Sequence, residues 1–168
     1  MTDYSRRSFL VVSVAGLLSG CTGGIVPSGS TSPAQLSVAT MTAQINATRT
    51  ANGQKPLTYN ARLAEAARQQ ANLMASRDQL SHDLGVSLRQ RVTNAGYEGA
   101  VGENVAGGQQ TLEQAIAGWL DSASHRSTLL SPKFTEFGLA VARVGSGKKS
   151  RYGVYWAFIA GGSFEAWR

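Results

Sequence analysis

The stretch that decides the fold is Val101-Gly-Glu-Asn-Val-Ala-Gly-Gly108, in which one carboxylate, Glu103, stands among small and apolar residues. A glutamate that folds inward needs partners, because an unpaired buried charge is costly. The sequence has only two histidines, His82 before this stretch and His125 after it. We expect these three side chains to meet in one cleft, and we expect the fold of the domain to hold them there. The alternative is a glycine-rich turn with an exposed Glu103.

A helix is predicted directly after this stretch. Thr111-Leu-Glu-Gln114 has the form of a capping box, and the apolar stripe that follows has helical spacing: Leu112, Ala115, Ile116, Trp119, Leu120 and Ala123. Trp119 should anchor this helix in the core. Asp121 and Ser122 precede His125 by four and three residues, so both side chains reach the imidazole if the helix continues that far. Asp121 could then fix the tautomer of His125, or it could form only a surface ion pair.

Two helices are predicted before the stretch. Apolar residues at helical spacing, Val38, Met41 and Ile45, indicate a first helix that ends at Asn52-Gly53. An extended Pro56-Leu57 leads to Asn60, a suitable N-cap for a second helix with this buried stripe: Leu63, Ala66, Ala67, Gln70, Leu73 and Met74. That helix should run out near Leu80-Ser81-His82-Asp83. The alternative for His82 is a C-terminal residue that the helix dipole favours. A short helix is expected from Leu84 to Asn94, ended by Ala95-Gly96-Tyr97.

Two strands are predicted after the Trp119 helix. Phe137, Leu139 and Val141 alternate with small residues, as in a strand. Tyr152 to Ala160 is apolar on both faces, which suits a central strand covered on both sides. Helices on both faces of a small sheet give a three-layer α/β/α arrangement.

The N-terminal residues predict export and a lipid anchor. Ser5-Arg6-Arg7-Ser8-Phe9-Leu10 has a twin-arginine signature before an apolar run that is too short to span a bilayer. The run ends in Leu18-Ser19-Gly20-Cys21, which resembles a bacterial lipobox with Cys21 as the lipidated residue; a plain signal peptide is the alternative. We therefore expect a signal peptide at 1–20, a lipidated flexible tether at 21–36 and the folded domain at 37–168. The protein would work outside the cytoplasm, anchored to the envelope on its periplasmic face or at an outer membrane.

The composition is that of a folded protein with scattered positive charge. The chain has 168 residues, 42% hydrophobic and 15% charged, with a net charge of +6. The basic cluster Lys148-Lys149-Ser150-Arg151 is typical of a solvated loop, and contact with an anionic lipid or wall polymer is the alternative. We expect no nucleic-acid partner for an anchored surface protein.

Together these motifs resemble the CAP superfamily (cysteine-rich secretory protein, antigen 5 and pathogenesis-related 1) in its cysteine-poor bacterial, SCP-like form. The resemblance runs from Val38 to about Ala160. It is carried by Ile45-Asn46-Ala47-Thr48-Arg49, Asn52-Gly53, Pro56-Leu57, Ser81-His82-Asp83, Ala95-Gly96-Tyr97, Gly102-Glu103-Asn104, the run from Trp119 to Arg126, and Phe134-Thr-Glu-Phe-Gly138. It implies an α+β fold, a three-layer α/β/α sandwich with a small, mostly antiparallel central sheet. With Cys21 as the only cysteine there are no disulfides.

The resemblance also implies a tetrad of two histidines and two acids in an open cleft. His82, Glu103 and His125 match three of the four positions, and the fourth falls on Ser122. Asp121 is adjacent but points about 100° away around a helix, so whether it replaces the missing acid stays open. A histidine pair remains in either case.

Three functions are compatible with these residues. The first is binding: the resemblance implies a hydrophobic ligand such as a sterol or fatty acid, an envelope partner, or zinc held by His82 and His125, with Asn104, Asp121 and Ser122 as further binding residues. The second is a metal-assisted peptide or ester hydrolase with Glu103 as general base. The third is docking on envelope components. We favour binding, because the second acid is missing and no nucleophile is placed.

Overall fold

The computed structural model describes residues 36–168. The predicted signal peptide, Cys21 and nearly all of the predicted tether lie outside the described residues. The elements in chain order are α1 Val38–Ala51, β1 Thr58–Tyr59, α2 Ala61–Arg77, α3 Leu88–Asn94, β2 Ala100–Gly107, α4 Leu112–Asp121, α5 Ala123–Leu130, β3 Glu136–Arg143, β4 Val154–Gly162 and a 3-10 helix, Phe164–Trp167. Within residues 36–168 no helix combines the length and apolarity needed to cross a bilayer.

One four-stranded sheet, in the order β1-β3-β4-β2, organises the domain. β4 pairs antiparallel with both β3 and β2, whereas the short β1 pairs parallel with β3. Every residue of β4 is buried, so the predicted central strand covered on both faces is confirmed. β2, which carries Glu103, lies at an edge of the sheet.

Helices cover both faces of the sheet. Alternate residues of β4 belong to two separate apolar clusters: Trp156, Phe158 and Ala160 pack with α1, α4 and α5, whereas Tyr155, Ala157 and Ile159 pack with α2 and α3. This division follows from the two-residue period of a strand. The predicted α/β/α sandwich is therefore confirmed, and we call the two helical layers the α4–α5 layer and the α2–α3 layer.

The second helix begins as predicted but ends earlier. The Asn60 side chain accepts hydrogen bonds from the backbone N–H groups of Arg62 and Leu63, as expected of an N-cap. α2 ends at Arg77, because Asp78 adopts a left-handed conformation with φ of 49°. His82 therefore lies in the loop beyond the helix, and a role for it at the helix C-terminus is wrong.

The glycine-rich stretch around Glu103 is a strand and not a turn. Glu103 pairs with Ile159 and Asn104 with Phe158 in the ladder between β2 and β4. Gly102 packs closely against α5, since a Cβ atom there would lie 2.9 Å from the Thr128 Cγ2 atom. The alternative of an exposed turn is thus excluded.

The predicted helix after the stretch is broken into two. The Thr111 hydroxyl caps α4 by accepting from the Gln114 backbone N–H at 3.3 Å, and Trp119 is buried, both as predicted. α4 then ends at Asp121, and Ser122 is extended, with φ of −97° and ψ of 122°, before α5 begins. Serine is a weak residue in helix interiors and a common one at helix ends, which accounts for a break that the apolar stripe did not indicate.

Candidate functional site

Glu103 is a buried acid with a partner on each oxygen. Its side chain is 2% exposed, on the face of β2 that meets the α2–α3 layer. Oε1 lies 3.0 Å from the His82 Nδ1 atom, and Oε2 accepts a hydrogen bond from the Arg91 guanidinium. The partners that a buried carboxylate requires are therefore one cation and one imidazole.

Arg91, in α3, was not predicted from the sequence. Its side chain is fully buried, and it donates hydrogen bonds to the backbone carbonyls of Val86 and His82 as well as to Glu103. The signal was present, because Leu88, Arg91, Val92 and Ala95 follow helical spacing and share one face of α3. A guanidinium on an apolar face needs buried hydrogen-bond acceptors, and an anion is one kind of acceptor.

His82 lies in a loop whose main chain is fixed by hydrogen bonds on both sides of it. The buried Gln70 side chain donates to the carbonyl of Ser81, the residue before His82. The Ser81 hydroxyl donates to the Asp83 carbonyl at 2.7 Å and accepts from the Asp83 N–H at 3.1 Å. These bonds fix the main chain on both sides of His82, while its own side chain stays 55% exposed.

His125 enters the site from the opposite layer. It lies in the first turn of α5, and its backbone carbonyl accepts a hydrogen bond of 2.8 Å from the side-chain amide of Asn104. The centroids of the His82 and His125 rings are 6.1 Å apart, with their planes 30° from parallel. Burial, and secondarily the nearby His82, lowers the pKa of His125 below its usual value. The neutral ring is therefore favoured.

The two histidines meet at the edge strand. Glu103 and Asn104 are consecutive on β2, so their side chains point to opposite faces. Glu103 holds the ring of His82 on one face, and Asn104 holds the main chain of His125 on the other. The expected convergence of His82, Glu103 and His125 is present, and Asn104 pins neighbouring backbone as the sequence predicts.

Asp121 and Ser122 do not join this group. Asp121 is exposed at the end of α4, and the Ser122 hydroxyl lies 3.3 Å from the Ser124 hydroxyl. Among residues 36–168, no hydrogen bond links either side chain to the His125 ring. The physical reason is the break at Ser122, which removes the continuous helical spacing that would have placed both side chains beside the ring.

The donor set suits an open site rather than a closed metal centre. Nowhere in residues 36–168 do three or more His, Cys, Asp or Glu side chains group so that they could hold a metal ion. Both Glu103 oxygens are already in use, so the imidazoles of His82 and His125 are the remaining donors. Two histidine nitrogens at this ring separation fit a partial zinc coordination sphere that water or a ligand completes.

Comparison with known proteins agrees with the fold. Residues 42–159 match the cysteine-rich secretory protein family, CAP. The uncharacterized protein YkwD of Bacillus subtilis (strain 168) is 29% identical over 114 residues, which cover 60% of this chain and 40% of that protein. The chain thus spans well under half the length of this curated relative.

Solved structures show the same architecture. An extracellular protein containing an SCP domain from Bacillus anthracis superposes with a TM-score of 0.63 at 22% identity, covering 74% of this chain and 40% of that one. An outer surface protein of Borrelia burgdorferi superposes with a TM-score of 0.63 at 19% identity, covering 73% of this chain and 90% of that one. A cysteine-rich secretory protein of Staphylococcus aureus superposes with a TM-score of 0.58 at 26% identity, covering 77% of this chain and 38% of that one.

Proposed function

The chain belongs to the cysteine-rich secretory protein family, CAP, and from this premise we propose that it is an exported, lipid-anchored binding protein that takes its ligand between His82 and His125. The observation that carries the proposal is the pair of rings 6.1 Å apart, one of them backed by a buried carboxylate. An imidazole whose second nitrogen bonds a carboxylate is a common arrangement for metal ligands.

Zinc is the ligand that this pair suits best. His82 and His125 would supply the two protein ligands, and water or a second molecule would fill the open positions. A zinc ion held in this way would act as a Lewis acid that attracts an electron-rich group of a partner. With only two protein ligands we expect weak, reversible binding.

Hydrolysis is less well supported than binding. A general base must reach the proton that it removes, yet Glu103 is 2% exposed and both of its oxygens are engaged by His82 and Arg91. Neither Asp121 nor Ser122 supplies a second acid beside His125. A hydrophobic ligand also suits a different place, a groove of about 350 Å³ at the opposite edge of the sheet. Its lining combines the apolar Leu36, Met41, Tyr59 and Val141 with the charged Glu65 and Arg68.

Calorimetric titration of zinc into the mature protein tests the proposal. We expect uptake of one zinc ion per chain, lost in His82→Ala and in His125→Ala and retained in Asp121→Asn. No heat of binding at millimolar zinc would refute the metal site. Cleavage of a peptide and ester panel that disappears in Glu103→Ala would establish the hydrolase instead.

The anchor is proposed on the sequence of residues 5–21 and has its own test. The relative from Bacillus anthracis is described as extracellular, which agrees with an exported domain. Full-length protein expressed in a bacterium with twin-arginine export should partition into detergent and incorporate labelled fatty acid, whereas Cys21→Ser should do neither. Labelling that persists in Cys21→Ser would place the lipid elsewhere.

A further inference from the structure

We propose that Arg91 is the positioning residue of this site, because its guanidinium holds both partners of the hydrogen bond between His82 and Glu103. Through that bond it decides which nitrogen of His82 meets a ligand. The inference deepens the proposed function, and only its ligand-binding part rests on that function.

The contacts of Arg91 reach both sides of the bond. One guanidinium nitrogen, Nη2, donates to the Glu103 carboxylate on β2. The other, Nη1, donates to the Val86 carbonyl and lies 3.4 Å from the carbonyl of His82 itself. A single planar group therefore ties the acid on the strand to the main chain of the loop that carries the imidazole. Lysine cannot reproduce this geometry, since it presents a point charge and not a fixed fork.

The charge of Arg91 sets the direction of the hydrogen bond. An ionised carboxylate can only accept, so the hydrogen between Glu103 and His82 belongs to the His82 Nδ1 atom. In the neutral ring, Nε2 is then left as the nitrogen with a free electron pair. A buried Glu103 is tolerated as an anion because a fully buried cation lies against it.

This arrangement selects the class of ligand. A His82 ring that presents the Nε2 electron pair binds an electron-pair acceptor, which is a metal cation or an N–H or O–H donor, and not an anion. Positively charged or hydrogen-donating groups are thus the chemistry that Arg91 prepares the site to receive.

Nitrogen NMR of the ligand-free protein tests Arg91 directly. The chain has only two histidines, so His125→Ala assigns the His82 ring unambiguously. At a pH where the His82 ring is neutral, we expect the wild type to show one tautomer with the hydrogen on Nδ1. Arg91→Met, which leaves Glu103 without its cation, should lose that single tautomer, whereas Arg91→Lys, which keeps the charge, should retain it. The matched control is Arg89→Met, which changes an exposed arginine of the same helix that bonds the Gly99 carbonyl, and it should keep the wild-type spectrum.

A double variant measures what the whole ion pair contributes to the site without leaving a buried charge unpaired. Arg91→Met with Glu103→Met replaces the buried ion pair by apolar groups of similar size, an exchange that is often neutral for folding. We expect a folded protein in which His82 shows the tautomer mixture of free imidazole and zinc affinity falls at least about tenfold. Retention of the Nδ1–H tautomer in Arg91→Met, where Glu103 is still present, would overturn the proposal.

The two proposals fail in different ways. If no form of the protein takes up zinc, the proposed metal site is wrong, and the tautomer measurement still decides the role of Arg91. If zinc binds equally well to the wild type and to the double variant, the metal site stands and Arg91 is only structural.

Discussion

Glu103 and Asn104 are chain neighbours that act on opposite layers of the domain. The Glu103 carboxylate lies 3.0 Å from the ring of His82, and the Asn104 amide donates to the main chain of His125 at 2.8 Å. Glu103 and Asn104 can make these two contacts only in a strand, because only there do consecutive side chains point to opposite faces. Their different partners lead to different predictions.

Removing the charge of Glu103 should cost stability. Glu103→Gln keeps the shape of the side chain but leaves the buried Arg91 without an anion, and breaking a buried pair in this way costs about 3–5 kcal/mol. Urea unfolding measures the change. The exposed acid Asp121 is the control, and Asp121→Asn should alter the unfolding free energy by less than about 0.5 kcal/mol. Equal effects of the two substitutions would contradict the buried-pair interpretation.

Asn104→Ala should loosen α5. The substitution removes the donor to the partly buried His125 carbonyl, and a hydrogen bond of this kind contributes about 0.5–1.5 kcal/mol. Hydrogen exchange should therefore rise across residues 123–130. Asn52→Ala is a matched control, because Asn52 makes the same kind of amide-to-carbonyl bond, to Thr48 at 2.8 Å, on an exposed part of α1 where water can replace it. Unchanged exchange in α5 would show that Asn104 does not hold it.

Gly138→Ala should disrupt the contact between α2 and β3. A Cβ atom at Gly138 would lie 2.0 Å from the backbone nitrogen of Ala64, and neither element can yield easily. We expect a loss of at least about 3 kcal/mol, at the upper end of overpacking effects, visible as a lower melting temperature. Gly145→Ala, which has open space around the added atom, should melt like the wild type. A stable Gly138→Ala protein would mean that α2 can shift away from the sheet.

Asp78 should give the protein an acid-sensitive contact. Hydrogen bonds from the Ser150 hydroxyl, the Arg151 N–H and the Tyr155 hydroxyl lower the pKa of Asp78 below its usual value. The folded state therefore binds the proton less readily than the unfolded chain, so the stabilisation is present above the unfolded pKa and is lost as the pH falls through the lower folded pKa. Asp78→Asn should be less stable than the wild type at pH 7, with the difference shrinking below about pH 4. Urea unfolding between pH 2 and 7 measures this, and a difference independent of pH would exclude the charge as its cause.

Elements with strong local signals were predictable. An apolar stripe with the Asn60 N-cap identified α2, and an apolar stripe with the Thr111 N-cap identified α4. In each helix the cap and the stripe lie within a few residues of one another. The alternation of Phe137, Leu139 and Val141 identified β3 for the same reason. These patterns reflect which face of an element is buried, and that is a local property.

Two features that depend on distant partners, strand β2 and the buried Arg91, were not predicted. The glycines of β2 disfavour a strand locally, and the strand forms because β4 supplies a ladder and α5 needs close approach at Gly102. The convergence of His82, Glu103 and His125 was expected from chemistry, whereas Arg91 was missed although it shares the apolar face of α3. Its burial makes sense only once Glu103 is known to lie against it.

The position of the histidines at the rim of the sheet has a mechanical consequence. The His82 ring belongs to the α2–α3 layer and the His125 ring to the α4–α5 layer. Any molecule that binds both rings therefore cross-links the two layers. Movement of one layer past the other would then have to break that link. The ligand-bound protein should therefore resist shear and heat by an amount that grows with ligand concentration.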